Sequence, residues 1–195
     1  MKHVLIVILF LCVSFSAFSQ QLGERIDLSG SKATKGLKFS ICPPIGWEMR
    51  EGKNPNVSKQ FVETSTGNSF NITITYGGTF ISKKEFAQFE DFYINEYKKQ
   101  LDSQFDQIIE FKSELIRIDD YPFLQFTTYG YMKKEFLNVK TTCRLVVFMG
   151  CVEDLVLTLT GFETGCTQTD QRLPNLFKRI ASSISLYEQY EYIRP

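Results

Sequence analysis

Phe111-Lys-Ser-Glu-Leu-Ile-Arg-Ile118, Asp119-Asp120 and Tyr121-Pro-Phe-Leu-Gln-Phe-Thr-Thr-Tyr-Gly-Tyr-Met132 open the stretch that decides the fold, which runs on to Phe162. β-Branched and aromatic residues dominate it, as pleated and half-buried surfaces favour. Asp119-Asp120 is a short polar turn of a kind that tolerates positive φ. Pro122 stands near the start of the second strand, where a missing N–H is tolerated. Lys133 to Phe136 turns the chain, Asn138 to Met149 reads as a third strand, and Leu155 to Phe162 as a fourth after a turn over Gly150–Asp154. Four consecutive strands joined by such short turns predict an antiparallel meander.

Alternation assigns the faces. Leu124, Phe126, Thr128, Gly130 and Met132 share one side of the second strand, and Tyr121, Phe123, Gln125, Thr127, Tyr129 and Tyr131 the other. Cys143, Leu145, Val147 and Met149 oppose Arg144, Val146 and Phe148 in the third. Neither face is cleanly polar, so both are expected to be covered at least in part.

Outward from the meander, Phe70, Ile72, Ile74 and Tyr76 alternate with Asn71, Thr73 and Thr75 as a strand, and Val57 to Thr64 precedes it as another. Leu37 to Ile41 is a short strand ended by Cys42-Pro-Pro-Ile-Gly-Trp47, where two prolines fix φ and Gly46 supplies freedom. Ser82-Lys-Lys-Glu85 is a capping box that starts a helix. Phe86, Phe89, Tyr93, Tyr97 and Leu101 follow at helical spacing, while Lys84, Glu90, Asp91 and Lys98 take the opposite face. That is the pattern of a helix packed on a sheet rather than of an aromatic docking surface. Leu173, Leu176, Phe177, Ile180 and Ile184 repeat it near the end, with Pro174 suited to the first turn. The expected class is α+β: one antiparallel sheet with a helix before the meander and another after it, covering opposite faces as an αβα sandwich.

Residues 1–19 read as a signal peptide. Lys2 supplies the positive start, Val4 to Val13 the apolar run, and Ala17-Phe-Ser19 the cleavage site, so that the mature chain would begin at Gln20. The run is short for a retained anchor, and no stable membrane insertion is expected after its removal. Residues 20–36 are polar with Gly23 and Gly30 and read as a flexible arm; residues 37–190 are expected to form a single domain. The location implied is the periplasm or the outside of the cell.

Composition excludes several chemistries. The chain has 22 basic and 22 acidic residues, so nothing points to nucleic acid or an anionic membrane as partner. His3 is the one histidine and lies in the leader, so no Ser-His-Asp or Cys-His site can be built in the mature chain. Gly77-Gly78 lacks the lysine and spacing of a phosphate loop. Asp119-Asp120 and Glu153-Asp154 offer paired carboxylates, but adjacent residues on a turn ordinarily just solvate it, and a calcium ion needs more oxygens than two. Asn56-Val-Ser58 and Asn71-Ile-Thr73 match the glycosylation pattern, to which a bacterial-looking leader gives little weight.

Cys42, Cys143, Cys151 and Cys166 remain after the leader. An even count in an exported chain suggests two disulfides. At about 3.3 Å per residue an extended run holds Cys143 and Cys151 too far apart to bond. Pairing the third and fourth strands across Gly150–Asp154 sets Cys143 opposite about residue 160, near Cys166. Cys143–Cys166 is therefore expected, with Cys42–Cys151 by elimination; buried free thiols are the alternative. No cofactor or metal is implied. Candidate binding residues are Trp47, Tyr129 and Tyr131, although a Trp beside Pro and Gly also suits a lid on the core.

Phe39-Ser-Ile-Cys-Pro-Pro-Ile-Gly-Trp-Glu48 resembles the opening of PsbP-like domains. That superfamily holds the extrinsic PsbP subunit of photosystem II and a eukaryotic Ran-binding import factor. Glu51-Gly-Lys-Asn-Pro-Asn-Val-Ser-Lys-Gln-Phe61 is similar to a continuation in small exported bacterial members, and Leu173-Pro-Asn-Leu-Phe-Lys-Arg-Ile-Ala-Ser-Ser-Ile184 to their closing helix. The resemblance implies an αβα sandwich that binds or scaffolds and is not an enzyme. It transfers no active site and gives no reason to expect photosynthesis. Functional expectations are thus a non-enzymatic exported binding or accessory domain of the cell envelope with an unknown protein partner. A carrier of a small apolar ligand, suggested by 18 Phe and 9 Tyr, and a carboxylate-dependent hydrolase are the alternatives.

Overall fold

A computed structural model of the protein describes residues 21–77, 90–133 and 141–187. The expected leader, the expected capping box with Phe86 and Phe89, most of the turn after Lys133, and the start expected for the third strand at Asn138 lie outside these residues.

Among the described residues a seven-stranded antiparallel sheet is the frame. It contains β3 (Glu48–Glu51), β4 (Val57–Val62), β5 (Ser69–Tyr76), β6 (Phe105–Ile118), β7 (Tyr121–Met132), β8 (Thr142–Val152) and β9 (Leu155–Thr164). Their order across the sheet is β3-β4-β5-β9-β8-β7-β6. The last four pair consecutively, and β5 closes on β9 with Ile72 opposite Leu159. Asp119 and Asp120 take φ of 45° and 65°, the left-handed pair that a two-residue hairpin needs.

β6 begins six residues earlier than alternation suggested. Two register shifts, between Phe105 and Gln107 and between Ile108 and Glu110, interrupt its period and hide its start from a pattern reading. There the β6 backbone presses on β7: a Cβ on Gly130 would stand 2.2 Å from the Gln107 carbonyl oxygen.

A second, three-stranded sheet corrects the expectation of a single one. β2 (Phe39–Ile41) lies between β1 (Ile26–Asp27) and β10 (Ser185–Leu186) and does not join the large sheet. All three residues of β2 are buried, so it shows no alternation. The segment expected as a loose arm is packed as well. Leu28 and Thr34 are buried, Leu22 bridges Pro44, and residues Lys32–Thr34 form a 3-10 turn. Its few apolar residues follow no local period and find their partners only in three dimensions.

Helix α1 (Glu90–Gln104) and helix α2 (Arg172–Ser182) serve different apolar clusters. Tyr93, Tyr97 and Leu101 of α1 pack with Leu124, Phe126, Cys143, Leu145, Val147 and Cys151, the even face of β7 and odd face of β8. Tyr97 stacks on Phe126 with centroids 4.4 Å apart. Leu176, Phe177 and Ile180 of α2 pack with Phe123, Val146, Phe148 and the small sheet on the other side. No described helix is long and apolar enough to cross a membrane.

The cysteines correct the expected bridges, because all four are free thiols. The β8–β9 turn is Glu153-Asp154, shorter than read, so Cys143 faces Thr164 rather than residue 160. Cys42 donates its N–H to Ser183 Oγ beside α2, whereas Cys151 belongs to the cluster under α1, so the sheet separates them. Burial pushes the Cys151 thiol up to about 11 and that of Cys166 to about 12, which leaves them small apolar side chains.

Candidate functional site

The odd face of β7 changes character along its length. Tyr121 and Phe123 belong to the apolar cluster under α2, and Gln125 and Thr127 then replace them. Register extends each position into a row across the sheet. Glu114, Gln125, Phe148 and Leu159 form one row, Lys112, Thr127, Val146 and Gly161 the next, and Glu110, Tyr129, Arg144 and Glu163 the third.

Helix α2 does not cover these rows evenly. The Phe177 ring rests on Gly161, where a Cβ would come within 2.3 Å of it, so the helix sits over β9 and β8. A groove of about 320 Å³ is left between α2 and β6. Its floor is Gln125, Thr127 and Val146, and Gln171, Pro174, Asn175 and Lys178 line it from the helix side. Glu110, Lys112 and Glu114 line it from β6.

One end is tied. Lys178 Nζ reaches Glu114 Oε1 at 2.7 Å from α2 to β6. At the third row Glu110 lines the hollow from β6. Glu110 also pairs with Lys112, whose hydrogen bond is the main reason its carboxyl titrates below the ordinary range. Two carboxylates and two ammonium groups therefore line the basin in balance. In the floor, Gln125 is 5% exposed and its Oε1 has no hydrogen-bond partner among the described residues.

The third row is anchored by Arg144, 1% exposed. Its guanidinium donates to Glu163 Oε2 at 2.8 Å and to the carbonyls of Asp170, Thr167 and Gln168 at 2.6, 2.8 and 2.9 Å. It thereby holds the loop that leads into α2. Burial raises the Glu163 carboxyl above its ordinary range even though Arg144 opposes the shift. A second hollow of about 410 Å³ lies beyond this loop, but its polar groups serve one another. Glu63 accepts from Asn68 Nδ2, Asn68 Oδ1 accepts from the Thr164 N–H, and Asp170 is held at about 2, chiefly by its hydrogen bond from Arg172.

The three residues singled out from sequence do not converge. Trp47 is half-buried, edge-on to Phe177 with centroids 6.4 Å apart, as a lid on the core. Tyr129 is buried under the Arg144 guanidinium, with its hydroxyl donating to the Cys166 carbonyl at 3.4 Å. Tyr131, half-buried, pairs with Thr142. Of the paired carboxylates, Asp119 Oδ2 accepts the Leu186 N–H and Asp120 lies 3.7 Å from the Arg117 guanidinium, while Glu153 and Asp154 form the β8–β9 turn. No group of three or more Cys, His, Asp or Glu among the described residues is placed to hold a metal ion. Sequence reasoning passed over Arg144 and Gln125. The available signal was a charged and an amide residue on strand faces otherwise filled by Val, Phe and Tyr.

The sequence matches no protein-family profile and no curated protein. Solved structures do resemble it. Cyanobacterial PsbP (CyanoP) from Synechocystis sp. PCC 6803 superposes with a TM-score of 0.50 at 12% identity, over 86% of this chain and 95% of that one. The Ran-binding protein Mog1p of Saccharomyces cerevisiae superposes with a TM-score of 0.51 at 9% identity, over 84% of this chain and 96% of that one. The two likenesses each span most of both molecules, and the chain has the PsbP-like fold, that of the superfamily that holds PsbP and Mog1p.

Proposed function

We propose that the chain is a non-enzymatic, exported binding or accessory domain of the bacterial cell envelope, and that it binds through the basin beside α2. One observation carries this reading. An amide 5% exposed, with an unpartnered oxygen, forms the floor of a hollow walled by ion-paired side chains. A buried polar atom without a partner costs free energy that a bound group can recover. Removal of the leader at Ser19 would leave a chain without histidine, which supports binding over acid–base catalysis by histidine. Of the two fold relatives, Mog1p is named for binding a protein, Ran. Val146 and Pro174 are the apolar residues of the lining, which does not suit a carrier of apolar ligands.

Cell fractionation with N-terminal sequencing tests the export half. Gln20 is the expected first residue, in the periplasmic fraction; an intact Met1 in the membrane fraction refutes it. For the binding half, Asn175→Trp fills the basin from the exposed side of α2. Native mass spectrometry of wild-type protein recovered from envelope extract should show a bound species that the folded variant lacks. Retention of the same species by both would place binding elsewhere.

A further inference from the structure

We infer that the basin beside α2 takes a compact, uncharged polyhydroxy ligand, of the chemistry of one or two sugar rings. The inference rests on the binding reading above and gives its ligand a class.

Charge comes first. Glu110 pairs with Lys112 and Glu114 with Lys178, while the Arg144 charge is met by Glu163 on β9. A charged ligand entering here would find no excess of opposite charge and would have to break one of these pairs. Shape comes second. The Glu114–Lys178 contact crosses from β6 to α2 and bars one end. An extended peptide needs a channel open at both ends, whereas a hollow barred at one end favours a compact molecule. Its volume of about 320 Å³ lies at the lower edge of small-molecule sites, which run from about 300 to 1,000 Å³.

Hydrogen-bonding capacity is the third element. Gln125 Oε1 calls for a donor, and the soft terminal torsion of a glutamine lets the amide turn to meet one. The carboxylates of Glu110 and Glu114 add acceptors, and the amides of Gln171 and Asn175 offer both functions. Hydroxyl groups, which donate and accept, match that mixture; an apolar chain or an anion does not.

The test is an amide NMR titration of the whole mature chain with glucose, galactose, N-acetylglucosamine and chitobiose. Glucuronate, hexanoate and an extended polar peptide serve as comparisons. At least one uncharged sugar should shift the signals of Gln125, Thr127 and Asn175 at millimolar concentration or below. Gln125→Leu, which replaces the amide by an apolar group of similar size and is expected to fold, should weaken that sugar by at least about tenfold, equal to about 1.4 kcal/mol. Lys178→Ala, which opens one end, should weaken it less. The inference is overturned if no uncharged sugar moves these signals, if Gln125→Leu binds as the wild type does, or if the peptide binds there more tightly. In those cases loss of the native species from Asn175→Trp would still uphold the binding reading.

Discussion

Among the described residues Arg144 is the bulkiest side chain withdrawn from water, larger than any buried phenylalanine. A guanidinium at that depth persists only when its donors are used, and here one carboxylate and three carbonyls take them. Arg144→Met leaves Glu163 buried without its counter-charge and should cost about 3–5 kcal/mol at neutral pH. The pH dependence has a definite sign. Burial already sets the folded pKa of Glu163 above its ordinary 4.5, so the ionised form opposes folding once pH exceeds that value. Loss of Arg144 removes the charge that favours ionisation and raises the folded pKa further. The deficit of Arg144→Met should therefore shrink as pH falls toward the carboxylate range. Urea titrations of both proteins at several pH values measure it; a deficit that grows on acidification would contradict this account.

At the scale of elements, the position of α2 sets the basin. Phe177 is wholly buried and its ring occupies the space above Gly161 that any side chain would need. Gly161→Ala should lift the helix and cost about 1–3 kcal/mol, the range for overpacking a filled core. Combining it with Phe177→Leu should cost less than the two changes summed, because the smaller side chain makes room for the methyl group. A double-mutant cycle by chemical denaturation decides it, and strict additivity would show that ring and glycine do not compete. On the outer strands a different constraint operates. β6 presents Glu110, Lys112, Glu114 and Arg117, and β3 presents Glu48, Arg50 and Glu51. Charges on both edges guard unpaired backbone against another chain.

In the whole molecule, distant segments are clipped to the large sheet. β5 pairs with β9 across the intervening helix and meander, so that contact forms between chain segments far apart in sequence. Contacts of that range predict folding in milliseconds to seconds rather than microseconds. The small sheet ends on β10, whose Leu186 N–H is held by the carboxylate of Asp119 in the β6–β7 turn. Asp119→Ala removes that acceptor and puts a β-carbon without local compensation at φ 45°, so a loss of about 1–3 kcal/mol is expected. Asp119→Asn, which tolerates the left-handed region and keeps an amide oxygen, should recover most of it. Hydrogen exchange at Leu186 supplies the local readout: it should speed up in the alanine variant and much less in the asparagine one.

Legibility follows the range of the forces. Alternation in β5, β7, β8 and β9 and the three-and-four spacing in α1 and α2 are local patterns, because a strand or helix repeats its exposure every few residues. They could be read from the chain alone, and so could the PsbP-like resemblance. Turn length could be read only roughly, and three residues of error in it moved Cys143 from opposite about residue 160 to opposite Thr164. Whether Phe39–Ile41 joined the large sheet or a small one was a matter of which surface remained to be covered. Arg144 and Gln125 share a strand face with Val146 and Phe123, and no local rule marks them as floor and foundation of a basin. That role exists because Phe177 seats α2 on Gly161, leaving Gln125 uncovered by the helix while the α2 loop closes over Arg144. The sequence by itself determined the longer strands β5, β7, β8 and β9, the two helices and their faces, through periodicity that each segment carries alone. The tertiary structure decided the register, the second sheet and the site, because each depends on close packing between segments that meet only once the chain has folded.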